Sequence, residues 1–204
     1  MTKKRVAVLI SGRGSNMTAL IEATEAPDYP ADIVLVLSNE PDAAGLARAR
    51  QAGIATAVVD HRSFGKDRDA FDRALDDALH AHRVDLVCLA GFMRLLTPWF
   101  VTRWSGRMLN IHPALLPQFK GLHTHRRALE AGVKQHGATV HFVVPEMDSG
   151  PIVLQASVPV VEGDTEEALA QRVLEVEHRI YPQALRLVAE GRVTLAAAET
   201  KSAR

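Results

Sequence analysis

Short apolar runs alternate along this chain with longer segments whose apolar positions recur every three or four residues. The runs at 6–10, 33–37, 56–59 and 86–90 are rich in Val, Leu, Ile and Ala. That is the pattern of strands buried on both faces. Helical patterns lie between them at 15–26, 42–51 and 67–83. In the last of these, Phe71, Ala74, Leu75, Ala78 and Leu79 form one stripe, with Asp and Arg on the opposite side. Strand and helix in repeated alternation predict a parallel sheet with right-handed crossovers. The second half changes character. Residues 138–144 alternate, and 152–158 follow after Asp148-Ser149-Gly150-Pro151, so an antiparallel excursion joined by a turn is expected. A long helix is expected over 165–189, capped by Asp164 or Thr165 and ended by Gly191. Pro182 should kink it or divide it in two. The predicted fold is α/β: a mostly parallel, Rossmann-like sheet with an antiparallel C-terminal excursion and helices on both faces. One domain over 1–204 is expected, with 195–204, small and polar, as a frayed tail.

Composition adds exclusions. The chain has 204 residues, with 24 Lys+Arg against 24 Asp+Glu, so its formal net charge is zero. Bulk electrostatics therefore offer nothing to a nucleic acid or a membrane surface, and any anion must be held by a local arrangement. Cys88 is the single cysteine and sits in an apolar run, as a buried small hydrophobe would. This fits a reducing cytoplasm. The N-terminal Lys3-Lys4-Arg5 precedes an apolar stretch that Ser11-Gly12-Arg13 interrupts, too short for a secretion signal. No run approaches membrane-spanning length.

Candidate chemistry concentrates in Leu109-Asn110-Ile111-His112-Pro113, at the end of an apolar run. Residues i and i+2 of a strand point to one side, so Asn110 and His112 project together. An amide donor beside an imidazole whose proton moves near neutral pH suits a reaction in which charge grows on a carbonyl oxygen. Taken alone, the pair also fits a strand end with a capping Asn and a satisfied histidine. Asp148, at the turn after the alternating stretch, is a local backbone partner unless the fold brings it beside His112.

Ser11-Gly12-Arg13-Gly14-Ser15-Asn16 follows the first strand and opens the first helix. Glycines let the backbone approach an anion, and the helix N-terminus presents unpaired N–H groups. A dinucleotide fingerprint would place a third glycine where Met17 stands and an acid where Ser38-Asn39 closes the second strand. The loop thus suits a single phosphate, although a tight strand-to-helix turn also uses glycine for structure alone. His123-Thr124-His125 with His141 raises a metal alternative. Two histidines at i and i+2 of a helix start do not face each other, which counts against it.

In order along the chain, Ser11–Asn16, Leu89-Ala90-Gly91-Phe92-Met93-Arg94, the stretch 109–117, Gly121-Leu122-His123-Thr124-His125, Met147–Pro151, Glu177-His178 and Ile180-Tyr181-Pro182 resemble the phosphoribosylglycinamide formyltransferases of purine synthesis. The resemblance covers about the whole chain. It implies the formyltransferase fold and transfer of a formyl group from 10-formyltetrahydrofolate, a co-substrate, to the amine of glycinamide ribonucleotide, without a metal. It implies catalytic positions at Asn110, His112 and Asp148. It places the ribonucleotide at Gly14, Ser15, Asn16 and Glu177, with Gly12 and Arg13 shaping the turn. The folate is expected against Arg68, Met93, Arg94, Leu95, Leu96, Asn110, Val144, Pro145, Glu146, Met147 and Asp148. The implied partners are small molecules, with neither nucleic acid nor membrane, and a homodimer is compatible with the reading.

Three rival readings stand beside this one. A methionyl-tRNA formyltransferase would bring a C-terminal RNA-binding domain and a basic surface. A formyltetrahydrofolate hydrolase would pass the formyl group to water and would carry an N-terminal regulatory domain. A non-catalytic folate- or nucleotide-binding protein would not need Asn110, His112 and Asp148 together.

Overall fold

In the computed structural model, which describes residues 2–202, the apolar runs form the centre of one seven-stranded sheet. Its strands are β1 (Lys4–Ile10), β2 (Ala31–Ser38), β3 (Thr56–Val58), β4 (Leu86–Leu89), β5 (Met108–His112), β6 (Gln135–Phe142) and β7 (Ile152–Pro159). They lie in the order β3-β2-β1-β4-β5-β6-β7. The pairs from β3 to β5 are parallel, and β6 and β7 are antiparallel additions. The α/β fold and its antiparallel excursion are as the periodicity predicts. The chain leaves β1 in one direction across the sheet and returns on the other side at β4. The carboxyl ends of these two strands therefore open a crevice, the usual place for a ligand in such sheets.

The helices are α1 (Ser15–Thr24), α2 (Ala44–Gln51), α3 (Arg68–Ala81), α4 (Pro98–Arg103), α5 (Thr124–Glu130), α6 (Glu166–Ala189) and α7 (Leu195–Ser202). They divide between two cores. On one face, Val6, Val8, Ile10, Leu109 and Ile111 pack with Met17, Leu20, Leu46, Val173 and Ile180 from α1, α2 and α6. On the other face, Ala7, Leu9, Leu35, Leu37 and Val87 meet Phe71, Leu75 and Leu79 of α3 and Phe100 of α4. Burying each large apolar side chain contributes about 1.5–3 kcal/mol. The second core stops at Met108. Strand alternation carries Asn110 and His112 onto the same side of β5, beyond the cover of α3 and α4. Loops close that part of the sheet instead.

Local chemistry explains the element ends. Asp67 caps α3 by accepting from Ala70 N at 2.9 Å, and Thr165 caps α6 by accepting from Ala168 N at 3.1 Å. Two expectations need correction. Pro182 does not divide the last long helix: α6 runs unbroken from Glu166 to Ala189. Pro182 is buried there against its neighbours, and its carbonyl accepts from Tyr29 Oη at 2.6 Å, so packing overrides the one missing helical bond. The tail read as frayed is helical over Leu195–Ser202, and Ala198 is buried in the first core. Thr194 starts that helix, its carbonyl accepting from Ala198 N at 2.9 Å. Residues 203–204 lie outside the described residues.

Candidate active site

At the end of β5, register decides the chemistry. Asn110 lies opposite His141 of β6, and His112 opposite Thr139. Asn110 Nδ2 is 3.3 Å from His141 Nε2, and His141 Nδ1 is 2.9 Å from the Phe142 carbonyl. A carbonyl only accepts, so Nδ1 carries the proton and Nε2 is free to accept from the Asn110 amide. Burial pushes His141 below the ordinary imidazole range, which keeps this neutral form. His141 therefore fixes the Asn110 amide with its nitrogen toward β6.

His112 is 5% exposed. Its Nε2 donates to the Phe119 carbonyl at 3.0 Å, and its Nδ1 lies 3.5 Å from Asp148 Oδ2. Both ring nitrogens thus face oxygen acceptors. The Nδ1–Oδ2 separation exceeds the 2.7–2.9 Å or so of a direct charge-assisted bond. Asp148 comes from a tight turn. It holds φ at 49°, in the left-handed region that Asp tolerates better than most side chains. Its Oδ2 accepts from Gly121 N at 2.8 Å, and Lys120 Nζ donates to Ser149 Oγ at 2.6 Å. The turn is thus tied to the 113–123 connection that crosses the face of the sheet. Gly150 lets it settle onto β6, for a Cβ there would lie 1.7 Å from the Phe142 oxygen.

The loop after β1 is shaped for close approach. Gly14, the residue before α1, has φ 71°. A Cβ on it would meet Gly45 Cα at 3.2 Å. Gly45 N donates to Gly12 O at 3.0 Å, which braces the turn from α2. The first N–H groups of α1 have no acceptor within the helix and carry its positive dipole end. Asn16 and Glu177 are both buried, and Asn16 Nδ2 donates to Glu177 Oε2 at 2.6 Å. Asn16 Oδ1 is left without a partner among the described residues. Burial raises the Glu177 carboxyl above its usual range, and the Asn16 hydrogen bond opposes that shift. Ser15 also lines an open cleft of about 580 Å³ between α1 and α6, with Arg48 and Arg179 in its wall.

Residues 91–97 follow β4 beside this loop. Ser11 Oγ accepts from Met93 N at 2.7 Å and donates to Asn39 Oδ1. Met93 and Leu95 are exposed, as is Met147 in the turn that carries Asp148. Phe92, Leu96 and Val143 pack against the edge of the second core, so both expected folate segments border the same face. Arg94 and Val144 are half-buried, and Pro145 and Glu146 are exposed. Arg68 donates from Nη2 to Leu95 O at 2.8 Å, so its guanidinium holds the loop. Among the described residues, no group of three or more His, Cys, Asp and Glu side chains is placed to hold a metal ion. His123 and His125 do not join His141. His123 precedes α5 at φ 57°, and His125 turns its ring against His136 with centroids 5.3 Å apart.

The formyl transferase family model matches residues 4–185. The chain belongs to the formyl transferase family. It is 50% identical to the phosphoribosylglycinamide formyltransferase of Escherichia coli (strain K12) over 190 residues, 93% of this chain and 89% of that protein. It is 54% identical to the trifunctional purine biosynthetic protein adenosine-3 of Bos taurus over 193 residues, 95% of this chain but 19% of that much longer protein. The crystal structure of the phosphoribosylglycinamide formyltransferase of Brucella melitensis superposes with a TM-score of 0.88 at 53% identity, covering 92% of this chain and 96% of that one.

In this formyl transferase the fold brings Asn110, His112 and Asp148 together, and separately Gly14, Ser15, Asn16 and Glu177. Two contributors escape the sequence reading. His141 enters it only as a metal candidate, because its contact with Asn110 depends on a strand register that alternation alone does not set. The Phe119 carbonyl that accepts the hydrogen bond from His112 Nε2 belongs to the backbone, so no side-chain pattern marks it.

Proposed function

We propose that this protein transfers the formyl group of 10-formyltetrahydrofolate to the primary amine of glycinamide ribonucleotide, N1-(5-phospho-D-ribosyl)glycinamide, in purine synthesis. One observation carries the reading. His112 stands between the Phe119 carbonyl and the Asp148 carboxylate, two residues from an amide that the neutral His141 fixes. The similarity to phosphoribosylglycinamide formyltransferases over nearly their full length supports it.

The chemistry follows from these groups. The amine nitrogen attacks the formyl carbon, and a tetrahedral intermediate forms with negative charge on the former carbonyl oxygen. Preorganised donors stabilise that charge best when they are in place before it develops. Asn110 Nδ2 has a second N–H beyond the one given to His141, and a His112 ring protonated at both nitrogens would add positive charge beside it. Collapse breaks the bond from carbon to N10 of the folate. The attacking amine gives up one proton and N10 gains one, so the proton count balances. Asp148 holds charge of the opposite sign beside His112, and the pair passes the proton between the two nitrogens. No covalent intermediate on the protein is needed. Cys88 is fully buried and its thiol is pushed up to about 12, unsuited to attack.

Binding divides between two regions. The phosphate of the ribonucleotide meets the N–H groups at Gly14, Ser15 and Asn16, and Glu177 faces the remainder of that substrate. The exposed apolar side chains of Met93, Leu95 and Met147 offer a surface to the flat ring of the folate, alongside Arg94, Leu96 and the 144–148 backbone. The test is release of folate from its formyl derivative by the purified protein, with and without the ribonucleotide.

A further inference from the structure

Residues 91–97 pose a mechanical problem. The segment has no regular structure, and it turns Met93 and Leu95 outward, 63% and 66% exposed. Side chains that point into solvent do not hold their own backbone, so the hold comes from behind. Two of its ties come from α3, one turn apart on the same side. Arg68 Nη2 donates to Leu95 O at 2.8 Å, and Asp72 Oδ2 accepts from Thr97 N at 2.6 Å. A turn further on, Asp76 accepts from Arg103 Nε at 2.6 Å and Trp104 Nε1 at 2.9 Å, securing the far end of α4.

Asp72 stands out among these. It is 0% exposed, and its Oδ1 has no hydrogen-bond partner among the described residues. A half-satisfied buried carboxylate is costly, and an apolar residue between Phe71 and Leu75 would avoid that cost. Burial also lifts its carboxyl above the usual range. What an apolar side chain cannot do there is hold the Thr97 N–H.

We propose that Asp72 is a positioning residue for the folate: from beneath, it fixes Thr97 and with it the 93–96 backbone on which the ring rests. This rests on the function proposed above. The decisive experiment compares wild type, Asp72→Ala and Asp72→Asn in direct binding titrations with a 10-formyl folate and, separately, with glycinamide ribonucleotide. Asp72→Ala should weaken folate binding about tenfold or more and leave ribonucleotide binding within about twofold. Asp72→Asn keeps an oxygen acceptor for Thr97 and should recover most of the loss. Equal weakening for both ligands, or unchanged folate affinity in a folded Asp72→Ala protein, overturns the proposal. Hydrogen exchange at the Thr97 amide gives a readout that needs no ligand and no variant. The amide should be protected in wild type, and exchange at the rate of an unprotected, solvent-exposed amide would overturn the role. Wild type that binds no folate, with Thr97 protected, would instead refute the assigned function.

Discussion

His112 is the residue on which the chemistry turns. Its ring is oriented by a carbonyl and a carboxylate on opposite edges, and neither of those groups binds the ribonucleotide in the proposed arrangement. His112→Ala should therefore lower turnover by about 10²-fold or more while changing ribonucleotide affinity little. Steady-state kinetics with a binding titration would check it, and near-normal turnover would remove His112 from the mechanism. The pairing of Asn110 with His112 is legible in sequence because strand alternation is rigid: positions two apart share a side. Asp148 is legible as a turn residue only. Its place beside His112 depends on the 113–123 connection, whose Gly121 N–H binds the carboxylate, and no local pattern encodes that contact.

Elements set the site through their ends. The strands and long helices are readable from period alone, with boundaries shifted by a few residues at most. Expected helix 67–83, for example, is α3 over Arg68–Ala81, with Asp67 as its cap. Short α4 spans too few residues for a periodic signal, although Thr97 as cap and Pro98 in the first turn form a starting signal. Pro182 does not divide α6 because propensity is a local term, whereas α6 is held by the long-range packing of Tyr181 and Tyr29. The β6–β7 connection is the element most exposed to a single change. A Cβ at Gly150 would overlap the Phe142 carbonyl, so the turn must lift away from β6 and carry Asp148 with it. Gly150→Ala should lower the melting temperature, at a cost of about 2 kcal/mol or more. It should also reduce kcat more than ribonucleotide affinity. Wild-type melting together with wild-type kcat would show that the turn does not position Asp148.

The whole molecule responds to acid through its buried and half-buried histidines. Burial holds His136 down to about 4 from 6.5, and it lowers His125, His141 and His178 as well. The unfolded chain takes up protons at these rings near 6.5, before the folded protein does. Their stabilisation is therefore complete above that pH and lost as pH falls through the folded value. Glu177 and Asp72 act with the opposite sign, since burial raises both and their cost eases in acid. The histidines are predicted to dominate between 6.5 and about 4, so the melting temperature should fall across that window. His136→Phe, which keeps the edge-on contacts with Phe119 and His125, should flatten the fall. An unchanged slope would contradict it.

In the proposed arrangement two ligand regions converge on one proton-handling centre. The loop after β1 and the segment after β4 are stitched together by Ser11, and β4 lies alongside β5 with Leu89 opposite Asn110. The most direct test follows the absorbance of a 10-formyl folate with purified protein and a chelator, with and without glycinamide ribonucleotide. The prediction is deformylation that requires the ribonucleotide, persists with the chelator and yields the formylated amine in equal amount. Deformylation at the same rate without the ribonucleotide would make water the acceptor and contradict the account.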